Sequence, residues 1–200
     1  MEQRFATGLR ALQKLFQDAS RTLSIPVRFA LIGGLAVSAW GAVRATQDID
    51  LLADSDPSPL TNLPLRDRLQ RFSERRGCTV EWRVGAPDDP IPLLLRLELP
   101  RKMHGLGADI LWAHKRWQRE ALGRTITLRI SGFDVFLLHP EDLVLMKLEA
   151  GGPQDLLDVE AVLATPPLEL NFTRLKRKAT PLHLAAKLDN CLGNTKGRKL

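Results

Sequence analysis

The chain has no tyrosine, few other aromatic residues, only two cysteines and no long hydrophobic run. Each shortage closes off a class of protein. Cys78 and Cys191 lie far apart and belong to no Cys-x-x-Cys or Cys/His cluster. That excludes a disulfide framework and a structural zinc site, and it fits a reducing compartment. The longest uncharged run, residues 29–43, falls short of the roughly 20 apolar residues that span a bilayer and is broken by glycines. Near the N-terminus the basic residues are accompanied by Glu2 and Asp18, and no signal-peptide core follows them. The expectation is a soluble, cytoplasmic protein with no membrane partner. There is also no Gly-x-Gly-x-x-Gly and no Gly-Lys-Ser/Thr, so neither a Rossmann dinucleotide site nor a P-loop is present.

What remains is ordinary globular material, 44% hydrophobic and 26% charged over 200 residues, enough for one sizeable core with a small appendage. The formal net charge of +6 is unevenly placed. Residues 171–200 hold eight basic side chains (Arg174, Lys176, Arg177, Lys178, Lys187, Lys196, Arg198 and Lys199) against Asp189, leaving 21 basic and 22 acidic residues for the rest. Such a segment is either a grip for a nucleic acid or a solvated helix face ending in a frayed terminus.

Hydrophobic periodicity predicts an amphipathic helix over 4–23, a buried strand over 27–32, a short helix over 35–40 and a strand over 46–52. Residues 54–64, rich in Pro, Ser and Asp, read as a loop before a helix over 65–76. Strands follow over 79–84, 93–99 and 108–112, then a hairpin of 125–130 and 133–138 around Ser131-Gly132. Pro140 opens a helix to residue 149, Gly151-Gly152-Pro153 breaks it, and a second runs over 154–164. Pro166-Pro167 precedes the basic segment, in which 181–188 reads as helical. The fold expected is α/β (α+β): a mixed β-sheet core flanked by helices, with a small C-terminal helical cap. Residues 1–139 would form the core with its N-terminal helix, and 140–200 the cap and basic segment of the same compact unit.

The chemistry concentrates in Gly33-Gly34 and Asp48-Ile49-Asp50. The glycines follow an apolar strand and allow close backbone approach to a ligand at the start of a helix, which favours an anion. The aspartates, two apart on a strand, share a face while Ile49 and Leu51 turn to the core. Paired carboxylates repel unless a cation sits between them, and hard oxygen ligands suit Mg²⁺ or Mn²⁺. Phosphate on one side and divalent metal on the other point to a nucleotide site.

The full string, Gly33-Gly34-x-Ala36-x4-Gly41-x2-Arg44-x-Thr46-x-Asp48-Ile49-Asp50, resembles the DNA polymerase β-like nucleotidyltransferase superfamily. It looks like a bacterial and archaeal branch that includes abortive-infection-type toxins of toxin–antitoxin systems. Pro140-Glu141-Asp142-Leu143, Lys147 and Asp155-Leu156-Leu157-Asp158 are similar to a second block of that branch. The likeness covers roughly residues 27–163.

The resemblance implies two-metal transfer of a nucleoside monophosphate from an NTP such as ATP to a hydroxyl on RNA, protein or a small molecule, with an antitoxin protein as a further partner. It implies metal ligation by Asp48, Asp50 and a third strand carboxylate, Asp109 with Glu98 as competitor. It also implies nucleotide binding by Gly33, Gly34, Arg44, Thr46 and Lys147. Bland roles stand beside these. Arg44 is equally suited to pairing with Asp48 or Asp50, Lys147 to a nearby acid, and Asp155 and Asp158 to positioning Lys147. The chain departs from the branch at Ala150-Gly151-Gly152-Pro153, where an arginine is usual; Arg124 and Lys102 are stand-ins. That departure, with the basic tail, also motivates a catalytically silent nucleotide- or RNA-binding protein. Trp82, Trp112 and Trp117 read as packing residues before base-stacking ones, and His104, His114, His139 and His183 show no metal-ligand spacing.

Overall fold

A computed structural model of the chain describes residues 3–86, 89–103 and 105–197. His104, Arg198 and Lys199 lie outside the described residues, as does the side chain of Lys196. The elements run α1 (Gln3–Leu23), β1 (Val27–Leu31), α2 (Gly33–Ala39), β2 (Ile49–Ser55), α3 (Leu63–Glu74), β3 (Thr79–Val84), β4 (Leu93–Glu98) and β5 (Gly107–Trp112). They continue with α4 (Arg116–Leu122), β6 (Ile126–Ile130), β7 (Phe133–Leu137), α5 (Pro140–Ala150), α6 (Pro153–Ala164), α7 (Phe172–Ala179) and α8 (Ala185–Gly197). None of the described helices is long and apolar enough to cross a membrane.

The strands form a mixed seven-stranded sheet in the order β3-β4-β5-β2-β1-β7-β6, an α/β fold. β2 and β5 pair in parallel at its centre, with antiparallel β1 on one side and antiparallel β4 on the other. These strands turn one face into the core, and along β4 and β5 burial alternates from residue to residue. Ile49, Leu51, Leu52, Leu95, Leu97 and Ile110 are accordingly buried, and any charge on these strands stands out. α1 lays Phe5, Leu9, Leu12, Leu15 and Phe16 on the core. Its Gly8 allows close contact, since a Cβ there would come within 2.8 Å of Ile49 Cδ1.

The differences from expectation have local causes. α2 begins at the glycines themselves, and β2 starts at Ile49, three residues later than the pattern predicts. Thr46 Oγ1 donates to the Asp48 carbonyl at 3.3 Å, bending the chain ahead of the strand. At its other end β2 continues to Ser55, into what reads as loop. α4 has no sequence signal; Gln118 Oε1 closes its start by accepting the His114 and Lys115 N–H groups. α7 is masked by its four basic residues, although its cap is readable: Asn171 Oδ1 accepts the Arg174 N–H at 2.9 Å.

α5 and α6 pack on α2 and on each other, and α7 and α8 fold back over them. Much of the basic segment is held internally. Arg174 pairs with buried Glu141 at 2.7 Å, Lys178 with buried Asp142 at 2.9 Å, and Lys187 Nζ donates to the Leu148 carbonyl at 3.1 Å. Arg124 joins Asp142 at 2.8 Å, so it does not serve as the stand-in arginine of the site.

Candidate active site

Four charged side chains form one rung across four neighbouring strands. Asp50 on β2 stands opposite Asp109 on β5, Asp109 opposite Arg96 on β4, and Arg96 opposite Glu81 on β3. Register partners point to the same face, so these side chains share one side of the sheet. The glycine pair closes over Asp50. Gly33 has φ +63°, and a Cβ there would lie 1.8 Å from Asp50 Oδ2. Only glycine permits both the conformation and the contact. The Gly34 amide hydrogen-bonds the Asp50 carboxylate. A Cβ on Gly34 would press on Thr46 at 3.0 Å and on Arg44 at 3.3 Å.

The electrostatics suit a cation. Burial, and next the charge of Asp109, push the Asp50 carboxyl up from 3.8 to about 6. Asp109 is also raised, chiefly by burial, with Arg96 opposing the rise. Its Oδ1 is buried and has no hydrogen-bond partner among the described residues. A buried carboxylate oxygen without a partner is costly unless a further ligand meets it. Asp50 and Asp109 therefore fit a hard divalent ion between them. Asp48 lies just ahead of β2, with its carboxylate turned to Arg96 Nη2 at 3.3 Å. A Cβ on Gly107 would come within 2.4 Å of Asp48 Oδ1, so a glycine there leaves room for this carboxylate. Among the described residues no three His, Cys, Asp or Glu side chains converge on one point. Two carboxylates face each other, and the third is held aside by an arginine.

Lys147 of α5 is buried, 3.0 Å from Asp155 and 2.7 Å from Asp158. Arg44 pairs with Asp158 at 2.6 Å, not with Asp48 or Asp50. Asp158 thus holds both cations at the edge of the cleft, a tie that the i, i+3 spacing of Asp155 and Asp158 suggests but does not specify.

These elements enclose a cleft of about 400 Å³. Gly33, Gly34, Arg44, Asp50, Asp109 and Lys147 line it; Asp48 and Thr46 do not. Leu94, Leu111, Leu143 and Met146 give it an apolar wall. Glu98, the competing third carboxylate, is exposed at the end of β4. Trp82, Trp112 and Trp117 stay outside the cleft, with Trp112 buried in the core. His139 packs beside Glu141, and burial lowers it, as it does His114.

Sequence reasoning missed Arg96. Its only signal is the alternation Leu95-Arg96-Leu97-Glu98, which places Arg96 and Glu98 on one face. What it faces depends on the β4–β5 register, which no local pattern encodes.

No protein-family model matches the chain, and no curated protein matches it. Several solved structures are similar to it. One is an antigenic nucleotidyltransferase-like protein from Paracoccidioides brasiliensis, with 20% identity over 92% of both chains and a TM-score of 0.47. A second is the antibiotic-resistance factor ANT(2'')-Ia, with 17% identity over 97% of this chain and 94% of that one and a TM-score of 0.41. A third is the lincosamide antibiotic adenylyltransferase LnuA, with 12% identity over 73% of this chain and 90% of that one and a TM-score of 0.40.

Proposed function

We propose that the chain is a metal-dependent nucleotidyltransferase, moving a nucleoside monophosphate from an NTP to a hydroxyl acceptor with release of pyrophosphate. One observation carries the reading: Asp50 and Asp109 face each other on adjacent parallel strands in the floor of a cleft, with Gly33 pressed against Asp50. Structural carboxylates are not normally paired in this way without a cation or a neutralising base.

Asp50 and Asp109 would hold Mg²⁺ or Mn²⁺, joined by Asp48 once it leaves Arg96. Bound there as a pair, such ions would neutralise the triphosphate and stabilise the attacking and the leaving oxygen. The chain's own residues do the rest. Gly33 and Gly34 leave the phosphates an unobstructed backbone. Lys147 and Arg44, fixed by Asp158, supply positive charge along the same edge. The acceptor oxygen bonds to the α-phosphorus as the bond to the pyrophosphate oxygen breaks. The hydroxyl proton passes to the Asp109 carboxylate oxygen that does not meet the metal. The apolar wall seats the base or the acceptor and excludes water.

The reading extends to a cytoplasmic enzyme of the toxin branch that the motif resembles, with an antitoxin as partner. Inducible expression tests that part: growth arrest that Asp50→Asn relieves supports it, and unimpaired growth counts against it. A second reading, a silent nucleotide- or RNA-binding protein, draws on the Asp48–Arg96 pair and on the neutralised Lys147. Transfer assays with four α-labelled NTPs, Mg²⁺ or Mn²⁺ and a cell extract as acceptor pool separate the two. Label on an acceptor with wild type, and none with Asp48→Asn/Asp50→Asn, is the result expected. Equal labelling by the double variant would end the enzymatic reading, and salt-sensitive RNA binding without any labelling would favour the silent one.

A further inference from the structure

Arg96 occupies an unusual place for a cation next to a metal site. Its Nη2 is 3.3 Å from Asp48 Oδ2 and its Nη1 is 3.7 Å from Asp109 Oδ2, so one guanidinium holds two of the three carboxylates. On its other side along the rung stands Glu81, its register partner on β3. Glu81 is at present engaged by Arg83, at 2.8 and 3.1 Å. Both members of that pair are about half exposed, so the pair is weakly held and readily exchanged. Arg96 therefore has acidic neighbours on both sides: a pair of carboxylates toward the cleft and a single one toward the sheet edge.

We propose that Arg96 is a positioning residue that stands in for the divalent ion. In the metal-free protein it holds Asp48 aside and neutralises Asp109, and on metal binding it releases both and turns to Glu81. The proposal rests on the metal-site reading above. It explains why no three carboxylates converge among the described residues, although two already face each other across the central strands. A guanidinium cannot be deprotonated at any physiological pH, so only displacement can free the carboxylates. Arg96 thus makes metal binding a competition and sets the affinity below what the carboxylates alone would give.

The test is Mn²⁺ binding to the full chain without nucleotide, followed by the loss of the free-ion electron paramagnetic resonance signal. Arg96→Met keeps much of the side chain's length and removes the charge. It should bind Mn²⁺ about tenfold more tightly than wild type, equivalent to 1.4 kcal/mol. Arg96→Lys keeps the charge and should remain within about threefold of wild type, which guards against a trivial effect of altered packing. Glu81→Gln removes the receiving carboxylate and should weaken Mn²⁺ binding about threefold. Metal-free Arg96→Met should melt below wild type and gain more from added Mn²⁺, because its carboxylates are left without a counter-charge. Unchanged or weaker Mn²⁺ binding by Arg96→Met, with wild type binding normally, overturns the role of Arg96 and leaves the metal site standing. No Mn²⁺ binding by any variant overturns both.

Discussion

Gly33→Ala is the sharpest perturbation of the site, because the structure fixes what the added methyl meets. The new Cβ would start 1.8 Å from Asp50 Oδ2, and contacts below 3.0 Å are not sustained, so the carboxylate must move by more than 1 Å. The residue would also sit at φ +63°, where a non-glycine residue loses roughly 1–2 kcal/mol. With the crowding added, the loss of stability should be about 2–4 kcal/mol. A displacement of that size at a reacting centre costs on the order of 100-fold in rate. Gly41→Ala is the matching control: φ is +97° there, and no described residue lies within 4 Å of the added Cβ. It should lose about 1–2 kcal/mol in urea denaturation, the backbone cost alone, and keep its transfer rate. If Gly33→Ala retains wild-type transfer and melts like Gly41→Ala, the close packing of glycine on carboxylate is not what organises the site.

Three further outcomes are expected. With the Asp50 carboxyl at about 6 in the fold and 3.8 unfolded, the folded protein keeps a proton that the unfolded chain has shed. Metal-free stability should therefore fall as pH rises from about 4 to 6, by up to about 3 kcal/mol, while Mn²⁺ affinity rises over the same window. Asp50→Asn should flatten that pH dependence in urea titrations and stabilise the metal-free protein at pH 8 while abolishing transfer. Lys147→Met should cost about 3 kcal/mol, because Asp158, 3% exposed, is left with one cation, Arg44, and the neutral amide of Gln154. Lys147→Met/Asp158→Leu should recover more than half of that loss if the cost is an unpaired charge. Asp142→Asn should destabilise the protein by about 2–4 kcal/mol, because the fully buried carboxylate answers both Arg124 and Lys178. A loss below about 1 kcal/mol would mean that these cations find other partners.

Much of the architecture is legible because its signals are local. The alternation of Leu93–Glu98, the apolar run of β5, Pro140 at a helix start and left-handed Gly151 at its end each act within a few residues. Gly33-Gly34 and Asp50 are legible for a related reason, since a glycine pair after a buried strand and an acid within the next have few structural uses. Asp109 stands out as a lone acid in an apolar strand. What is not legible depends on register and on distant pairs. Arg44 meets Asp158 across 114 residues of sequence, and Arg96 meets Asp48 across 48. Neither partner can be chosen before the sheet is assembled. The basic segment shows the same limit: the sequence displays eight cations without showing that Glu141 and Asp142 are the buried acids awaiting Arg174 and Lys178.

The ion pairs that cross residue 139 have a consequence for dissecting the molecule. Arg44, Lys115 and Arg124 come before that point, and each pairs with an acid after it: Asp158, Glu149 and Asp142. The cleft is divided the same way, with Gly33, Gly34, Asp50 and Asp109 on one side of the cut and Lys147 on the other. A chain severed there would yield one piece with surplus cations along its broken edge and another with matching anions. Neither piece would contain a whole binding surface, yet the two would attract. Such halves are suited to reassembly from separate transcripts, where restored transfer would report that two fused proteins had met.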